Sequence, residues 1–378
     1  MKYDLTKTEQ QFIQATWQRV QAKLAITSQR IGATEPYIAT NHRYQDFGEQ
    51  HPTWWTNAFW CGTLWQLAAA TQQTSYQQLA RQIERRLDDA LVRIDELDHD
   101  VGFMWLNAAV TDYRLTGDVR ARKRGLKAAL LLAGRYNPAG HYLVAWNGAE
   151  QQGQVIVDCF MNLGLLYWAT QETGNQRFAQ IANAHAQTAT RALLRADGSS
   201  NHIAVFDPVT GAFKGNLGGQ GYGQGSAWSR GQAWALYGLT LVYKNNHQTA
   251  YLQKAKAAAQ FFIANVAATG NVSLIDFRAP ATPIYYDTTA TAIAICGLLE
   301  LVKYLPMAER PLYQGAAYRM LVALTERFCD FDTAHDELVT KGSAKYHRAS
   351  DREVPIIYGD TFYVEALLRF LNLDLTIY

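Results

Sequence analysis

The sequence predicts an all-α fold, an (α/α)6 barrel in which six helical hairpins close into a ring. Two observations predict it. One apolar type of helix recurs six times, starting at Ala58, Gly102, Val157, Trp228, Asp287 and Tyr358, with successive starts 44, 55, 71, 59 and 71 residues apart. Between the copies lie more polar stretches whose apolar residues return every three to four positions. Helices apolar nearly all round are buried, and one-sided helices cover them. Six of each make an inner and an outer ring. An open solenoid of hairpins is the alternative, but the loops vary too much in length for a regular repeat.

Taken in order, Thr6 to Lys23 is the first outer helix, and AFWCGTLWQLAAAT from Ala58 the first inner one. YQQLARQIERRLDDALVRI from Tyr76 returns on the outside. The inner copies GFMWLNAAVTDYRLTG from Gly102 and VDCFMNLGLLYWATQETG from Val157 both stop at Thr-Gly, at Thr116–Gly117 and Thr173–Gly174. Glycine just past the last periodic residue is a helix-ending signal. QRFAQIANAHAQTATRALL and AYLQKAKAAAQFFIANVA are further outer helices, flanking the inner WSRGQAWALYGLTLVYK from Trp228. DTTATAIAICGLLELVKY from Asp287 and YGDTFYVEALLRFLN from Tyr358 complete the inner set. Two long loops, 196–227 and 331–357, each lead into the start of an inner helix. They are expected to cover one face of the ring, and long loops in compact domains usually carry function.

Composition excludes several classes. Across 378 residues, 35 basic and 33 acidic side chains leave a net charge of +2, with no Lys/Arg block to track a nucleic acid. No run approaches a membrane span, and Met1 to Gln10 has no apolar core of a signal peptide. The four cysteines, Cys61, Cys159, Cys296 and Cys329, are scattered and read as reduced, which predicts a cytoplasmic protein. No local Cys/His spacing suggests a metal, and GGQGYGQG (218–225) fits neither phosphate-binding fingerprint, so no cofactor is expected. Rings are abundant, with 10 Trp, 21 Tyr and 15 Phe. They suit either a large core or a sugar-stacking surface.

Every inner helix begins near polar residues: Trp55-Thr56-Asn57, Asp98-His99-Asp100, Asp158, Ser229-Arg230, Asp287-Thr288-Thr289 and Tyr358-Gly359-Asp360. Any one of these carboxylates or hydroxyls can be a helix N-cap. Together they put several carboxylates on one end of a toroid among Trp, Tyr, His and Arg, an arrangement suited to acid–base chemistry on a carbohydrate. Asp158 stands between Val155-Ile156-Val157 and Cys159-Phe160-Met161, a setting expected to raise its pKa by desolvation. His202 in DGSSNH and Arg230 in WSRGQAW fit either a local structural role or a polar contact. Thr340 to Lys345 (TKGSAK) reads as a solvated turn or a small anion site.

These residues, in this order, resemble the unsaturated glucuronyl hydrolases, family 88 of the glycoside hydrolases. The likeness is carried by WWTNAFWCG (54–62), HDVGF (99–103), VDCFMNLGLLYWA (157–169), DGSSNH (197–202) and WSRGQAWALYG (228–238). DTTATAIAICGLLEL (287–301) and IYGDTFYVEALL (357–368) extend it over most of the chain. The resemblance implies one catalytic domain over 1–378. Asp158 would be its general acid and base and Asp100 the second essential carboxylate. It further implies a sugar pocket of Trp55, Phe59, Trp146 and Trp234, with His202, Gln220, Arg230 and Tyr358 as polar contacts.

The implied reaction is hydration of the C4=C5 vinyl ether of an unsaturated uronic acid at the end of an oligosaccharide, with an optimum on the acid side. A sulfate-tolerant S-x-x-S-x-K pattern is met by Thr340, Ser343 and Lys345, with Thr in the first place. Gly219 stands where the family commonly has His. The sister rhamnogalacturonyl hydrolases commonly show Gly-Asn-Gly-Trp where this chain has Gly231-Gln232-Ala233-Trp234. They, a sugar epimerase and a non-catalytic helical scaffold are the competing readings.

Overall fold

A computed structural model of the chain describes residues 3–373, 375 and 377–378. The inner helices are α2 (Phe59–Thr71), α4, α6 (Cys159–Thr173), α8 (Ser229–Asn246), α10 (Thr288–Val302) and α12 (Ile357–Phe370). Helix α4 comprises Val101–Trp105, a π-helical turn Leu106–Val110 that kinks at Ala108, and Thr111–Thr116. Outside lie α1 (Lys7–Ile31), α3 (Thr74–Ala90), α5 (Val119–Gly134), α7 (Gln176–Leu193), α9 (Thr249–Ala267) and α11 (Arg310–Arg327). Each inner helix packs on the next, and α12 packs back on α2, so the ring closes rather than running on as a solenoid.

The two helix kinds differ in burial as their composition requires. Every residue of α10 and α12 is buried, because their side chains meet neighbours on all sides. Helix α3 buries Tyr76, Ala80, Ile83 and Leu87 on one face and shows charge on the other. Outer helices also carry the local end signals. Thr6 and Glu9 form a reciprocal capping box on α1, and Asp118 and Asn175 cap α5 and α7. Gly117 and Gly174 end α4 and α6 in the left-handed conformation that glycine adopts without strain.

Three elements differ from expectation. Helix α1 continues eight residues past Lys23, to Ile31. The 196–227 segment contains strands Ile203–Phe206 and Phe213–Leu217, which form a three-stranded sheet with Gln154–Ile156. The π-helical turn in α4 has no counterpart in the hydrophobic pattern; Ala108 sits there at φ −111°, ψ −107°. Both long segments do meet over one face. Gln220 donates to the Ala344 carbonyl at 2.7 Å, Tyr346 N donates to Gln220 O at 2.9 Å, and the Tyr222 and Tyr346 rings meet edge-on at 5.0 Å. Among the described residues no helix is long and apolar enough to cross a membrane.

Candidate active site

A cavity of about 550 Å3 opens on this face, over the N-terminal ends of the inner helices. Asp100 and Asp158 line it, with Trp55, Trp146, Gln220, Arg230, Lys345 and Tyr358 around them. The positive ends of the inner helices point the same way, which favours an anionic guest.

The three-stranded sheet positions Asp158. Ile156 pairs with Ile203, and Val157 N donates to the His202 carbonyl at 3.0 Å. One residue further, Asp158 Oδ2 comes to 3.5 Å from His202 Nε2. Asp100 is positioned from α6. Asn162, one turn after Asp158, donates from Nδ2 to Asp100 Oδ1 at 3.0 Å and accepts from Phe103 N at 2.6 Å. One buried amide thus ties the starts of two inner helices together.

Neither carboxylate is an N-cap. Asp100 and Asp158 occupy the cap positions of α4 and α6 without accepting a capping hydrogen bond, whereas Asp287 does accept one, from Thr289 N. Asp360 lies inside α12 and accepts from Leu338 N, Val339 N and the Tyr44 hydroxyl, holding the 331–357 segment to the ring. Asp100 and Asp158 keep their carboxylates turned to the cavity, 14% and 13% exposed.

Their ionisation is pushed in opposite directions. Burial, then the neighbouring charges of Asp98 and Asp158, raise Asp100 well above the usual aspartate range. Burial raises Asp98 to about 6. Asp158 corrects the sequence expectation. Burial pushes it up as anticipated, but His202, then His99 and Arg230, outweigh that and hold it below the ordinary aspartate value. The residues responsible lie 44 to 72 positions away in sequence, so the local apolar setting gave the wrong sign. Burial drives His99 down to about 3, leaving it neutral.

The walls are aromatic. Trp55 and Tyr358 rings lie 5.0 Å apart, and the Arg230 guanidinium is 4.4 Å from the Trp228 ring and 5.4 Å from the Tyr358 ring. Arg230 donates to Asp287, Ser343 O and Ala344 O, which fixes its plane. Asp158 Oδ2, His202 Nε2, His99 Nε2, Arg230 Nε and Tyr358 OH are buried without a hydrogen-bond partner among the described residues. Native proteins rarely leave buried polar atoms so, and a cluster of them around one cavity suits a polar ligand.

Several other expected contacts lie elsewhere. Phe59 and Trp234 are fully buried beneath the cavity, where they pack with Phe103 and Phe362. They shape its floor without lining it. His202 stands behind Asp158, its ring 4.3 Å from that of Trp228 and tilted 41° to it. Thr340 donates its hydroxyl to Phe328 O, and Ser343 gives its own to Tyr286 O while accepting from Glu353 N. Of that motif only Lys345 lines the cavity, because backbone partners already hold the two hydroxyls. Sequence reasoning also missed Asn162, Tyr37 and Arg348; the last two line the cavity. Asn162 had a visible signal, a lone amide in the apolar run CFMNLGLL four residues after Asp158.

A closed ring of six hairpins, with two carboxylates shifted in opposite directions at the base of an aromatic funnel, defines a carbohydrate-active hydrolase of the α/α-barrel class. The chain belongs to Glycosyl Hydrolase Family 88, whose pattern matches residues 28–279, and it is therefore a glycosidase. It is 35% identical over 326 residues to an unsaturated chondroitin disaccharide hydrolase of Streptococcus pneumoniae, covering 84% of this chain and 82% of that one. It is 36% identical over 324 residues to an unsaturated glucuronyl hydrolase of Bacillus sp. strain GL1, covering 83% and 85%.

The crystal structure of the unsaturated glucuronyl hydrolase from Bacillus sp. GL1 superposes with a TM-score of 0.87 at 33% identity, over 94% of this chain and 96% of that one. An aspartate-to-asparagine variant of the Streptococcus agalactiae unsaturated glucuronyl hydrolase, complexed with dGlcA-GalNAc6S, superposes with a TM-score of 0.80 at 30% identity, over 95% and 91%. The resemblance drawn from the sequence motifs and the predicted barrel are both borne out.

Proposed function

We propose that the chain, acting as one catalytic domain, releases 4,5-unsaturated glucuronic acid from the non-reducing end of lyase-generated glycosaminoglycan oligosaccharides of chondroitin, hyaluronan or heparin type. The observation that carries this reading is the pair Asp100 and Asp158, uncapped at two helix starts and shifted in opposite directions in one cavity.

In this mechanism Asp158 protonates C4 of the double bond, water adds at C5, and the water's proton returns to the Asp158 carboxylate. The resulting hemiketal opens and frees the remaining sugar. Free Asp158 is ionised, so it must gain its proton as substrate binds. The uronate carboxylate supplies the reason: a second anion beside Asp158 raises its pKa. Asp100, which burial and its neighbouring carboxylates push upward, offers a hydrogen-bond donor beside it when it carries its proton. Trp55 and Trp146 stack on the sugar, and Gln220, Arg230 and the unpaired Tyr358 hydroxyl contact its polar edge. Lys345 and Arg348 at the rim attract a sulfated second sugar. Four free cysteines, three of them buried, support a reducing, cytoplasmic setting.

The test is a panel of unsaturated disaccharides from chondroitin, hyaluronan, heparin and pectin, followed by the absorbance of the conjugated enol carboxylate. Loss of absorbance on the glycosaminoglycan members is expected. Turnover of the pectin-derived disaccharide alone would move the chain to the rhamnogalacturonyl branch, and no turnover of any would return it to the scaffold reading.

A further inference from the structure

Away from the cavity, four ligand-type side chains meet that the mechanism does not use. His42, Asp330, His335 and Glu337 each place a ligating atom within 4.8 Å of the others. His42 belongs to the turn between strands Ala39–Thr40 and Arg43–Tyr44, and the other three to the segment following α11. His42 Nδ1 is 2.6 Å from Glu337 Oε1, and His335 Nδ1 is 2.6 Å from Asp330 Oδ2. The two imidazoles stack at 3.7 Å with their planes 13° apart.

A second observation distinguishes this cluster from two ordinary surface ion pairs. The Glu337 side chain is 1% exposed, and its Oε2 has no hydrogen-bond partner among the described residues. A buried carboxylate oxygen left unpaired costs free energy unless something positive meets it. The nearby cations are otherwise engaged. Lys23 serves Asp330 Oδ1 at 3.6 Å and the Asp332 carbonyl, and Arg30 serves Asp336.

We propose that His42, Asp330, His335 and Glu337 bind a divalent transition-metal ion of the zinc class. Two imidazoles with two carboxylates match the donors such ions take, whereas calcium and magnesium prefer all-oxygen shells. The ion takes the place of the protons shared by the two His–carboxylate pairs and meets Glu337 Oε2. It clasps two segments of the cavity's rim. One carries Tyr37, which lines the cavity, and Tyr44, which bonds Asp360; the other continues into Lys345. His42 lies about 290 positions from the other three, so no local spacing announces the full set.

The experiment uses the full chain, stripped with a chelator and dialysed against micromolar Zn2+, with metal per chain read by elemental analysis. A parallel titration with Co2+ reads its visible d–d absorption. Expected are one ion per chain and a metal-dependent rise in melting temperature. His42→Gln and His335→Gln are expected to weaken binding at least ~10-fold while keeping metal-free melting and turnover. Metal retention equal in wild type and in the variant carrying both His42→Gln and His335→Gln overturns the proposal, as does a wild type that keeps no metal. So does a Co2+ spectrum unchanged by either substitution.

Discussion

Asp158 Oδ2 and His202 Nε2 lie 3.5 Å apart because the Ile156–Ile203 pair sets the register of the two strands that carry them. The sheet, an addition to an otherwise helical ring, is what delivers the histidine to the carboxylate. It also sets the carboxylate's charge, since His202 is the strongest influence opposing the desolvation of Asp158.

Removing His202 therefore moves the pH profile. Asp158 must be protonated when it meets C4, so kcat/KM falls as pH rises through the free-enzyme pKa of Asp158. His202→Asn takes away the group that lowers that pKa, and the falling limb shifts to higher pH. In the wild type the limb of kcat lies above that of kcat/KM, because bound uronate raises Asp158. Profiles of both parameters on one disaccharide check this, and an unmoved limb in His202→Asn removes Asp158 as the donor.

Asn162→Ala leaves the buried Phe103 N–H without its 2.6 Å partner and Asp100 without its donor. The expected cost is ~1–3 kcal/mol of stability, read by denaturant unfolding. Asp100 moves further up, because the Asn162 hydrogen bond is one of the influences that lower it.

The fold was legible because burial on all sides demands a distinctive composition, and the six inner starts read from sequence fall within two residues of the observed ones. By chemistry alone the site was legible mainly where a residue stands at a helix start; Trp146 and Gln220, which line the cavity from loops, were reached only through the family resemblance. Phe59 and Trp234 look like wall residues by type, yet each lies on an inner helix with its side chain turned to the floor. The charge state of Asp158 could not be read locally, because it depends on a strand register and on Arg230 from another helix. Asp287 and Asp100 look alike in sequence; only the backbone geometry separates the cap from the cavity group.

On the proposed reading, preference for a sulfated sugar rests on the rim cations Lys345 and Arg348. Lys345→Ala should lower kcat/KM for a sulfated disaccharide several-fold relative to its unsulfated counterpart, with the larger loss in KM. Thr340→Val should leave that ratio unchanged, since its hydroxyl is given to Phe328 O. Kinetics on the matched pair of disaccharides separate the two cases.

Gly219 has a backbone reason for being glycine. It sits at φ +61°, and a Cβ there would come within 1.9 Å of His202 Nδ1. Gly219→Ala should cost ~1–2 kcal/mol from the left-handed backbone alone and displace His202. Its pH limb should then move in the same direction as that of His202→Asn. A variant with wild-type melting and an unchanged profile would show that the contact does not hold His202.

The central claim, that Asp158 carries the proton that hydrates the double bond, is tested most directly by one paired time course. Enol absorbance and released sugar are followed together on an unsaturated chondroitin disaccharide, for wild type and Asp158→Asn. In the wild type both signals should change at one rate. In a folded Asp158→Asn protein both should slow by at least ~10²–10⁴-fold. Sugar released while the absorbance persists, or turnover surviving in the variant, would contradict that claim.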